Sequence, residues 1–247
     1  MRKTEQSKIL DSKIIELEIG SGVIYPLSVI QGYQTGDIYE LENCTLIHHY
    51  CGFGFLCGEP TEGAFAQIVT LMKSIVNSGG RLVLFCDGQS LARRFELQGG
   101  MIIETREFYE FSGERSSFTL PEGFEIRELD GGIISRLDGR IVPSFSWESS
   151  ERFLEKGKGF CVMHGQEPAA WAFSAAVSDD EIDIGVETCE QFRGKGLAAA
   201  AANEMIRCAL SVGKKPVWAC HSGNTGSKRV AQKLGFGLIG ECFTVRI

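Results

Sequence analysis

The chain has 247 residues, of which 43% are hydrophobic and 23% charged, and it carries a formal net charge of −7. This length and composition suit one large or two small globular domains with a buried core. The acidic balance argues against nucleic acid as a partner, and no apolar run is long enough to cross a membrane.

Nine cysteines, an odd number, are scattered along the chain without a Cys-x-x-Cys pair. Their spacing relative to the histidines matches no common metal site. We therefore predict reduced, largely buried cysteines and no bound metal. The polar stretch at residues 1–12 does not resemble a signal peptide. Together these features predict a cytoplasmic protein without a membrane partner.

The N-terminal half alternates predicted strands and helices. Residues 23–29 are apolar around Pro26 and are predicted to be extended. His48 and His49 are adjacent on one predicted strand, so they face opposite ways and make a poor chelate; we expect structural roles for both. Alternating apolar patterns and amphipathic runs closed by paired glycines give the remaining elements. The predicted strands cover 37–41, 45–50, 52–58, 81–86 and 101–111, and the predicted helices cover 64–77 and 89–97.

The C-terminal half begins after a polar, glycine-containing stretch at 112–118 that we interpret as a linker. The predicted strands cover 124–129, 159–164, 169–177, 181–188, 216–220 and the chain from 238 onward, and the predicted helices cover 197–210 and 227–234. The pair at 159–164 and 169–177 reads as a hairpin. We therefore predict two α/β (α+β) domains, a smaller one at 1–117 and a second at 118–247.

A glycine-containing loop lies between the predicted strand at 181–188 and the predicted helix at 197–210. It contains Arg193, Gly194, Lys195 and Gly196. The first turn of a helix has backbone N–H groups without intrahelical partners, and glycines let an anion approach them closely. We therefore predict an anion site and favour a pyrophosphate, with a plain tight turn as the alternative. The loop lacks the Gly-Lys-Ser/Thr end of a P-loop and the third glycine of a dinucleotide fingerprint.

Two motifs in the C-terminal half resemble the cofactor site of the GNAT (GCN5-related) N-acetyltransferases. The first is Arg-Gly-Lys-Gly-Leu-Ala at 193–198, between a strand and a helix. The second is Asn224, followed after two residues by Ser227 and then by Leu-Gly-Phe at 234–236. Residues 184–188 and 216–220 also resemble the zwittermicin-A-resistance-type subgroup. The resemblance implies a GNAT fold with a mixed, mostly antiparallel sheet for the C-terminal half.

The same resemblance implies acetyl-CoA as the co-substrate. In the family, the pyrophosphate lies on the loop and the backbone of the preceding strand holds the pantetheine arm. Carried onto this chain, the cofactor-binding residues are Val186, Thr188, Arg193, Gly194, Lys195, Gly196, Leu197, Ala198 and Asn224. Asn224 resembles the family position that hydrogen-bonds the pantetheine arm or a bound water. A role as the residue that starts a helix is an equal alternative for it.

Two carboxylates are candidates for the general base. Glu187 is the first choice, because it lies on the polar face of the predicted strand directly before the loop and can take a proton from an amine through a water. Asp183 lies on the same face and is the second choice. The alternative for either residue is a structural role as a hydrogen-bond acceptor.

The chain departs from the family at the group that protonates the leaving thiolate. Many members have a tyrosine four residues after the small residue that here is Ser227, and that position is Ala231. Ser227 is the candidate replacement, with His221 and Cys220 as alternatives. The thiolate can also leave unassisted, because the pKa of a thiol is not far above neutral. A third interpretation is that the protein does not catalyse.

The order of predicted elements in the N-terminal half matches that in the C-terminal half. We therefore predict that the N-terminal half is a degenerate copy of the GNAT fold, with an unrelated α/β domain as the alternative. Its loop at 59–63 contains Glu59 and Glu62 and lacks the Arg-Gly-x-Gly run. Because carboxylates repel a pyrophosphate, we expect no CoA binding in this half.

The sequence therefore predicts an acetyl-CoA-dependent N-acetyltransferase that acts on a primary amine of a small molecule. The alternatives are an acetyltransferase for a protein or peptide amine, a non-catalytic acyl-CoA-binding protein, and a nucleotide-binding module of another fold. Trp147 either lines the acceptor site or belongs to the core. A homodimer is left open.

Overall fold

The structure, a computed structural model, describes residues 2–4, 24–86, 88–113 and 118–247. The chain divides into two compact units. Unit 1 comprises Met1–Glu107 and Gly240–Ile247, and unit 2 comprises Phe108–Ile239. Among the helices of the described ranges, none has both the length and the apolar character needed to span a membrane.

Both units contain strands and helices. The helices are α1 Ile24–Ile30, α2 Glu62–Asn77, α3 Gln89–Glu96, α4 Gly131–Ile134, α5 Ser150–Lys156, α6 Leu197–Ser211 and α7 Thr225–Lys233. The strands are β1 Arg2–Thr4, β2 Gly36–Leu41, β3 Cys44–His49, β4 Phe53–Cys57, β5 Val83–Cys86, β6 Ile102–Phe111, β7 Phe124–Glu128, β8 Gly159–His164, β9 Glu167–Val177, β10 Glu181–Thr188, β11 Lys215–His221 and β12 Phe236–Arg246. Short 3₁₀ turns lie at Pro143–Phe145 and Glu190–Phe192.

The sheet of unit 1 has the order β1-β2-β3-β4-β5, and the end of β12 pairs with β5. Strands β2, β3 and β4 are antiparallel, whereas β4 and β5 are parallel and are joined through α2. Helix α2 carries Phe65, Ile68 and Met72 on one face, at the spacing of an amphipathic helix. These side chains share a buried cluster with Leu46 and Leu84 of the sheet.

The prediction of an extended segment at 23–29 is wrong, because α1 spans Ile24–Ile30. Pro26 is the third residue of this helix. The first four N–H groups of a helix have no intrahelical partner, so a proline in the first turn loses no hydrogen bond. Val29 and Ile30 then pack in a small buried cluster with Ile38 and Ile47, and this burial outweighs the local preference for an extended chain.

His48 and His49 have the structural roles that we predicted. His48 Nε2 donates to the carbonyl oxygen of Arg81 at 3.0 Å. His49 is fully buried, and its Nδ1 accepts from the Cys51 N–H at 3.0 Å. In the described ranges no group of three or more His, Cys, Asp and Glu residues has a geometry that could hold a metal ion.

The buried His49 predicts an acid-sensitive unit 1. Burial, reinforced by the neighbouring His48, lowers the pKa of His49 from 6.5 to about 3. Between those values the unfolded chain binds a proton that the folded chain does not, so stability falls as the pH falls. We expect a loss of about 2 kcal/mol between pH 7 and pH 5, measured by urea unfolding.

The matched variant for this prediction is His49→Asn. Its side-chain oxygen can still accept from the Cys51 N–H, but it does not titrate. We expect the variant to lose clearly less stability than the wild type between pH 7 and pH 5. Equal losses in the two proteins would show that other groups carry the acid sensitivity.

The sheet of unit 2 has the order β7-β8-β9-β10-β11, with β6 next to β11. Strands β7 to β10 are antiparallel in succession, whereas β10 and β11 are parallel and are joined through α6. Helix α6 packs on this sheet through a face rich in alanine, which includes residues 199–202, and through Met205 and Ile206. The small side chains let the helix backbone lie close to the strands. This packing holds the first turn of α6 against the sheet.

The second face of this sheet carries α4, the turn at Pro143–Phe145 and α5. Trp147 is fully buried there, and its Nε1 donates to the Ser174 carbonyl at 2.8 Å. Its ring packs edge-on against Phe153, with centroids 5.7 Å apart. Trp147 therefore belongs to the core and does not line an acceptor site.

The predicted fold class is confirmed, since unit 2 has a mixed, mostly antiparallel sheet. In each unit, three antiparallel strands are followed by a helix, a parallel strand and a second helix. This shared order agrees with the hypothesis of a degenerate repeat. The predicted linker at 112–118 includes residues 114–117, which lie outside the described residues, and the domain limits 1–117 and 118–247 stay a prediction.

Candidate functional site

Strands β10 and β11 pair only over their first residues. Their parallel pairing ends at Asp183 opposite Val217, although both strands continue beyond these residues. We call this divergence the strand split. The register between β9 and β10 shifts at the same point, between Asp183 and Ile184. Beyond the shift, the β10 backbone around Val186 and Thr188 has no partner from β11, so its polar groups on that edge can meet a ligand.

The glycine loop, residues 193–198, leads into α6 beside the strand split. Gly194 and Gly196 have φ angles of 79° and 76°, in the left-handed region that glycine adopts without steric cost. Gly196 is the N-cap of α6, no side chain caps this helix, and its first turn contains no acidic residue. A Cβ added at Gly194 would meet nothing within 4 Å. The loop therefore presents unshielded backbone N–H groups to an anion.

The side chains of the glycine loop divide into two groups. Arg193 and Lys195 are exposed and add positive charge at the helix end. Leu197 is 1% exposed and anchors α6 in the core of unit 2, and Ala198 is half-buried. Leu197 and Ala198 can therefore contact a cofactor mainly through their backbone.

In unit 1 the corresponding helix is α2, and side chains of the same unit occupy its N-terminus. Thr61 is the N-cap of α2, and its hydroxyl accepts from the Ala64 N–H at 3.2 Å. Glu62 lies in the first turn of α2 and pairs with Arg94 at 2.9 Å. A side-chain cap and a carboxylate leave little room for a phosphate. The geometry agrees with the expectation that this half does not bind CoA.

This contrast predicts one acetyl-CoA site per chain. Isothermal titration calorimetry with acetyl-CoA is expected to give a stoichiometry near one, because the start of α6 is uncapped whereas the corresponding start of α2 is capped by Thr61. A substitution in the unit 1 loop, Glu62→Gln, is expected to leave both the stoichiometry and the affinity unchanged. A stoichiometry near two would mean that the start of α2 also binds the cofactor.

Lys233 is a cation of the site that sequence reasoning did not identify. Its Nζ lies 3.8 Å from the point where a Cβ on Gly196 would stand. The same ammonium group lies 5.3 Å from the ring centroid of Phe118. Lys233 is at the end of α7, far from the glycine loop in sequence, so no local pattern links the two. It places a third positive charge beside Arg193 and Lys195 at the helix end.

We expect Lys233→Gln to weaken acetyl-CoA binding about threefold to tenfold, as for an exposed charge that contacts a phosphate. The loss should shrink as salt is raised, because salt screens exposed charges. Lys73→Gln, an exposed lysine of α2, is the control with the same change in net charge. Titrations at low and high salt measure both variants, and equal affinities for the two would remove Lys233 from the site.

Glu187 and Asp183 lie on the same strand in different surroundings. Glu187 is half-buried, and its Oε2 accepts from the Ile141 N–H at 2.5 Å. Asp183 is 5% exposed and lies at the last paired position of the strand split. The structure thus brings Glu187 to the segment after α4, on the sheet face opposite α6. The Oε2 atom of its carboxylate holds a backbone group of that segment.

Asn224 and Ser227 form the start of α7. The Asn224 side chain caps this helix by accepting from the Ser227 N–H at 3.1 Å, so the helix-start role is present. The Ser227 Oγ accepts from Trp218 Nε1 at 2.9 Å. Trp218 follows Val217, the last paired residue of β11. The indole occupies one lone pair of the hydroxyl and leaves its O–H free to donate elsewhere.

Cys220 and His221 are the two alternatives to Ser227, since Ala231, at the family's tyrosine position, is fully buried in the core of unit 2 and offers no polar group. Cys220 is 4% exposed and belongs to the same core. His221 is exposed, and its Nδ1 accepts from the Gly223 N–H at 3.0 Å within the turn before α7. Of the candidate donors, Ser227 alone combines partial burial, a fixed oxygen and a free proton.

A family profile, a curated relative and a solved structure that are similar to this chain are each described as acetyltransferases or acetyltransferase-like. A family profile described as GNAT acetyltransferase matches residues 25–243. The uncharacterized N-acetyltransferase YdfB of Bacillus subtilis (strain 168) is 30% identical over 135 residues, which are 54% of this chain and 52% of that protein. The chain therefore spans about half the length of this curated relative.

Two solved structures of similar proteins match most of this chain. A GCN5-related N-acetyltransferase-like protein from Streptococcus suis 89/1591 has a TM-score of 0.70 and 25% sequence identity, and the match covers 85% of this chain and 88% of that one. A tandem GNAT protein from the clavulanic acid biosynthesis pathway has a TM-score of 0.52 at 11% identity, with 85% and 78% covered. The second similarity concerns the fold alone.

Proposed function

Because the chain belongs to the GNAT acetyltransferase family, we propose that it transfers an acetyl group from acetyl-CoA to a primary amine of a small molecule. The observation that carries the proposal is the uncapped start of α6, with two left-handed glycines, beside the strand split. Together they offer N–H groups for a pyrophosphate and a free strand edge for an amide-containing arm.

The residues present fit the cofactor. In the proposal, the N–H groups of the glycine loop hold the pyrophosphate, and Arg193, Lys195 and Lys233 add charge around it. The backbone of Val186 and Thr188 holds the pantetheine arm along the open edge of β10. Asn224 contributes by fixing the start of α7. When bound, acetyl-CoA supplies the thioester carbonyl that the amine attacks.

The chain's own groups then handle the protons. Glu187 takes a proton from the amine, directly or through a water, as the new C–N bond forms. Asp183 is the second candidate for this role. The C–S bond breaks, and the Ser227 hydroxyl donates a hydrogen bond to the departing thiolate, whose pKa allows it to leave without full protonation. Positioning of the amine and the thioester supplies much of the rate enhancement.

Carboxylates around Cys189 support a basic acceptor. Burial raises the pKa of the Cys189 thiol, and the charges of Glu167, Glu187 and Asp138 raise it further. These three carboxylates therefore lie near the end of β10, where their field attracts a protonated amine. A protein or peptide amine would respond to the same field and remains the alternative acceptor.

A second function rests on one observation. The buried Ala231 stands where many family members have a tyrosine, and this favours a non-catalytic acyl-CoA-binding protein. Acetyl transfer to any member of an amine panel would rule this function out. A cytoplasmic location is part of the main proposal, because all nine cysteines lie in the described residues and none forms a disulfide. A homodimer stays a prediction.

The first experiment is thermal unfolding with acetyl-CoA, CoA, ATP and NAD. A ligand present at a hundred times its dissociation constant stabilises the native state by about 2.7 kcal/mol, which gives a measurable rise in Tm. We expect a rise with acetyl-CoA and CoA alone, followed by release of free CoA in an amine screen. A rise with ATP or NAD instead would favour a nucleotide-binding module, and no rise with any of them would overturn the proposed site.

A further inference from the structure

The peptide groups of Ile141 are held from both sides by two side chains. Its N–H donates to Glu187 Oε2 at 2.5 Å, and its carbonyl accepts from Trp171 Nε1 at 2.7 Å. Glu187 and Trp171 are direct neighbours across the β9–β10 ladder. Two adjacent strands therefore hold one residue of an irregular segment, which runs from the end of α4 to the turn at Pro143–Phe145.

Gly139 makes room for the carboxylate of Glu187. A Cβ at this position would lie 2.6 Å from Glu187 Oε2 and 2.7 Å from its Cδ. Gly139 is not among the residues with positive φ, so an alanine would fit its backbone conformation. The requirement for glycine here comes from the close approach of the carboxylate and not from the backbone.

Trp171 is suited to fix this arrangement rather than to contact a substrate. It is fully buried, and its one polar atom is used by the Ile141 carbonyl. Because its ring is packed, the indole N–H has a fixed position. Trp171 therefore holds the peptide plane between Ile141 and Val142, which is joined at the Ile141 Cα to the plane that carries the Ile141 N–H. By anchoring this residue, Trp171 restricts where its N–H can lie. That N–H in turn fixes the Oε2 atom of Glu187.

We propose that Trp171 is a positioning residue for the Glu187 carboxylate, acting through the backbone of Ile141, and that Gly139 provides the space that this position needs. The inference rests on the proposed function, in which Glu187 accepts the proton of the amine. A base must stand within hydrogen-bond reach of its proton, so a displacement of about 1 Å is enough to slow the reaction strongly.

Two substitutions disturb the position of Glu187 without removing it. Trp171→Phe keeps a buried ring but deletes the N–H that holds Ile141. Gly139→Ala adds a methyl group where the carboxylate now lies. For each we expect kcat to fall about 10- to 100-fold, with the dissociation constant of acetyl-CoA unchanged. Trp147→Phe is the matched control, because it also deletes one indole-to-carbonyl bond, of 2.8 Å, from a fully buried tryptophan.

The double variants separate positioning from a general loss of structure. In a Glu187→Gln background the base is already absent, so adding Trp171→Phe or Gly139→Ala should change kcat little. A purely structural role would instead lower kcat by the same factor in both backgrounds. Equal kcat for Trp171→Phe and Trp147→Phe in the wild-type background would also overturn the proposal, while acetyl transfer by both would leave the proposed function intact.

A measurement without turnover tests the arrangement itself. Amide hydrogen exchange at Ile141 is expected to speed up in Trp171→Phe, Gly139→Ala and Glu187→Ala, because each weakens the contacts that protect its N–H. Exchange at Ile141 should stay at the wild-type rate in Trp147→Phe. If Trp171→Phe leaves the exchange of Ile141 unchanged, Trp171 does not position this segment, whatever the activity of the enzyme.

Discussion

Replacing Gly196 with leucine is expected to raise the dissociation constant of acetyl-CoA by more than about 100-fold. The new side chain would stand at the start of α6, where the phosphate oxygens must approach the backbone N–H groups. Loss of two hydrogen bonds to a charged group corresponds to about 3–6 kcal/mol. Isothermal titration calorimetry measures the change, and the Tm of the variant shows that it is folded.

The control for this variant is Gly213→Leu. Gly213 lies just beyond the other end of α6 with a φ of 74°, and a Cβ there would meet nothing within 4 Å. Both substitutions impose a left-handed conformation on leucine, at a cost of about 1–2 kcal/mol each. Only Gly196→Leu should lose the cofactor. If Gly196→Leu binds acetyl-CoA as tightly as Gly213→Leu does, the pyrophosphate does not lie on the glycine loop.

Glu187→Gln is expected to lower kcat by about 10²- to 10⁴-fold, the usual contribution of a general base. The amide oxygen of glutamine can still accept from the Ile141 N–H, so the segment after α4 should keep its position. The amide cannot take a proton from the acceptor amine. Steady-state kinetics with one amine acceptor measure kcat, and calorimetry should show unchanged acetyl-CoA affinity.

Glu187→Ala distinguishes a base from a structural acceptor. If Glu187 is the base, the glutamine and alanine variants are similarly slow. If it only holds Ile141, the glutamine variant works nearly as well as the wild type and the alanine variant is impaired. Asp183→Asn is the parallel test of the second carboxylate, and a larger loss of kcat there than in Glu187→Gln would reverse our assignment of the base.

The elements of the fold were predictable because their signals are local. The α2 helix repeats apolar residues at helical spacing, and the glycine loop joins a strand pattern directly to a helix pattern. The prediction for residues 23–29 is wrong because proline favours an extended chain at the preceding residue, whereas Pro26 stands in the first turn of α1, where a proline is tolerated. The burial of Val29 and Ile30 that decides the matter depends on distant strands.

Only the part of the candidate site that lies in one local motif, the glycine loop, can be predicted from the sequence. Lys233 meets Gly196 through the packing of α7, and a lysine near the end of a helix is too common to indicate this. The link from Trp171 to Glu187 runs through the backbone of Ile141. Since every residue has an N–H and a carbonyl, the identity of Ile141 contains no sign of the contact. Pairs of this kind become visible only when the tertiary fold is known.

The pairing of β5 with the end of β12 has a consequence for synthesis on the ribosome. Cys86 of β5 lies opposite Phe243, and Val245 is fully buried in the cluster that contains α2. Chains are made from low to high residue numbers, so unit 1 stays unfinished, with β5 as an open edge, until all of unit 2 has been translated. Translation that stops before residue 240 therefore leaves both a free sheet edge and a core gap. An incomplete chain of this kind would already contain the glycine loop but would lack a finished unit 1.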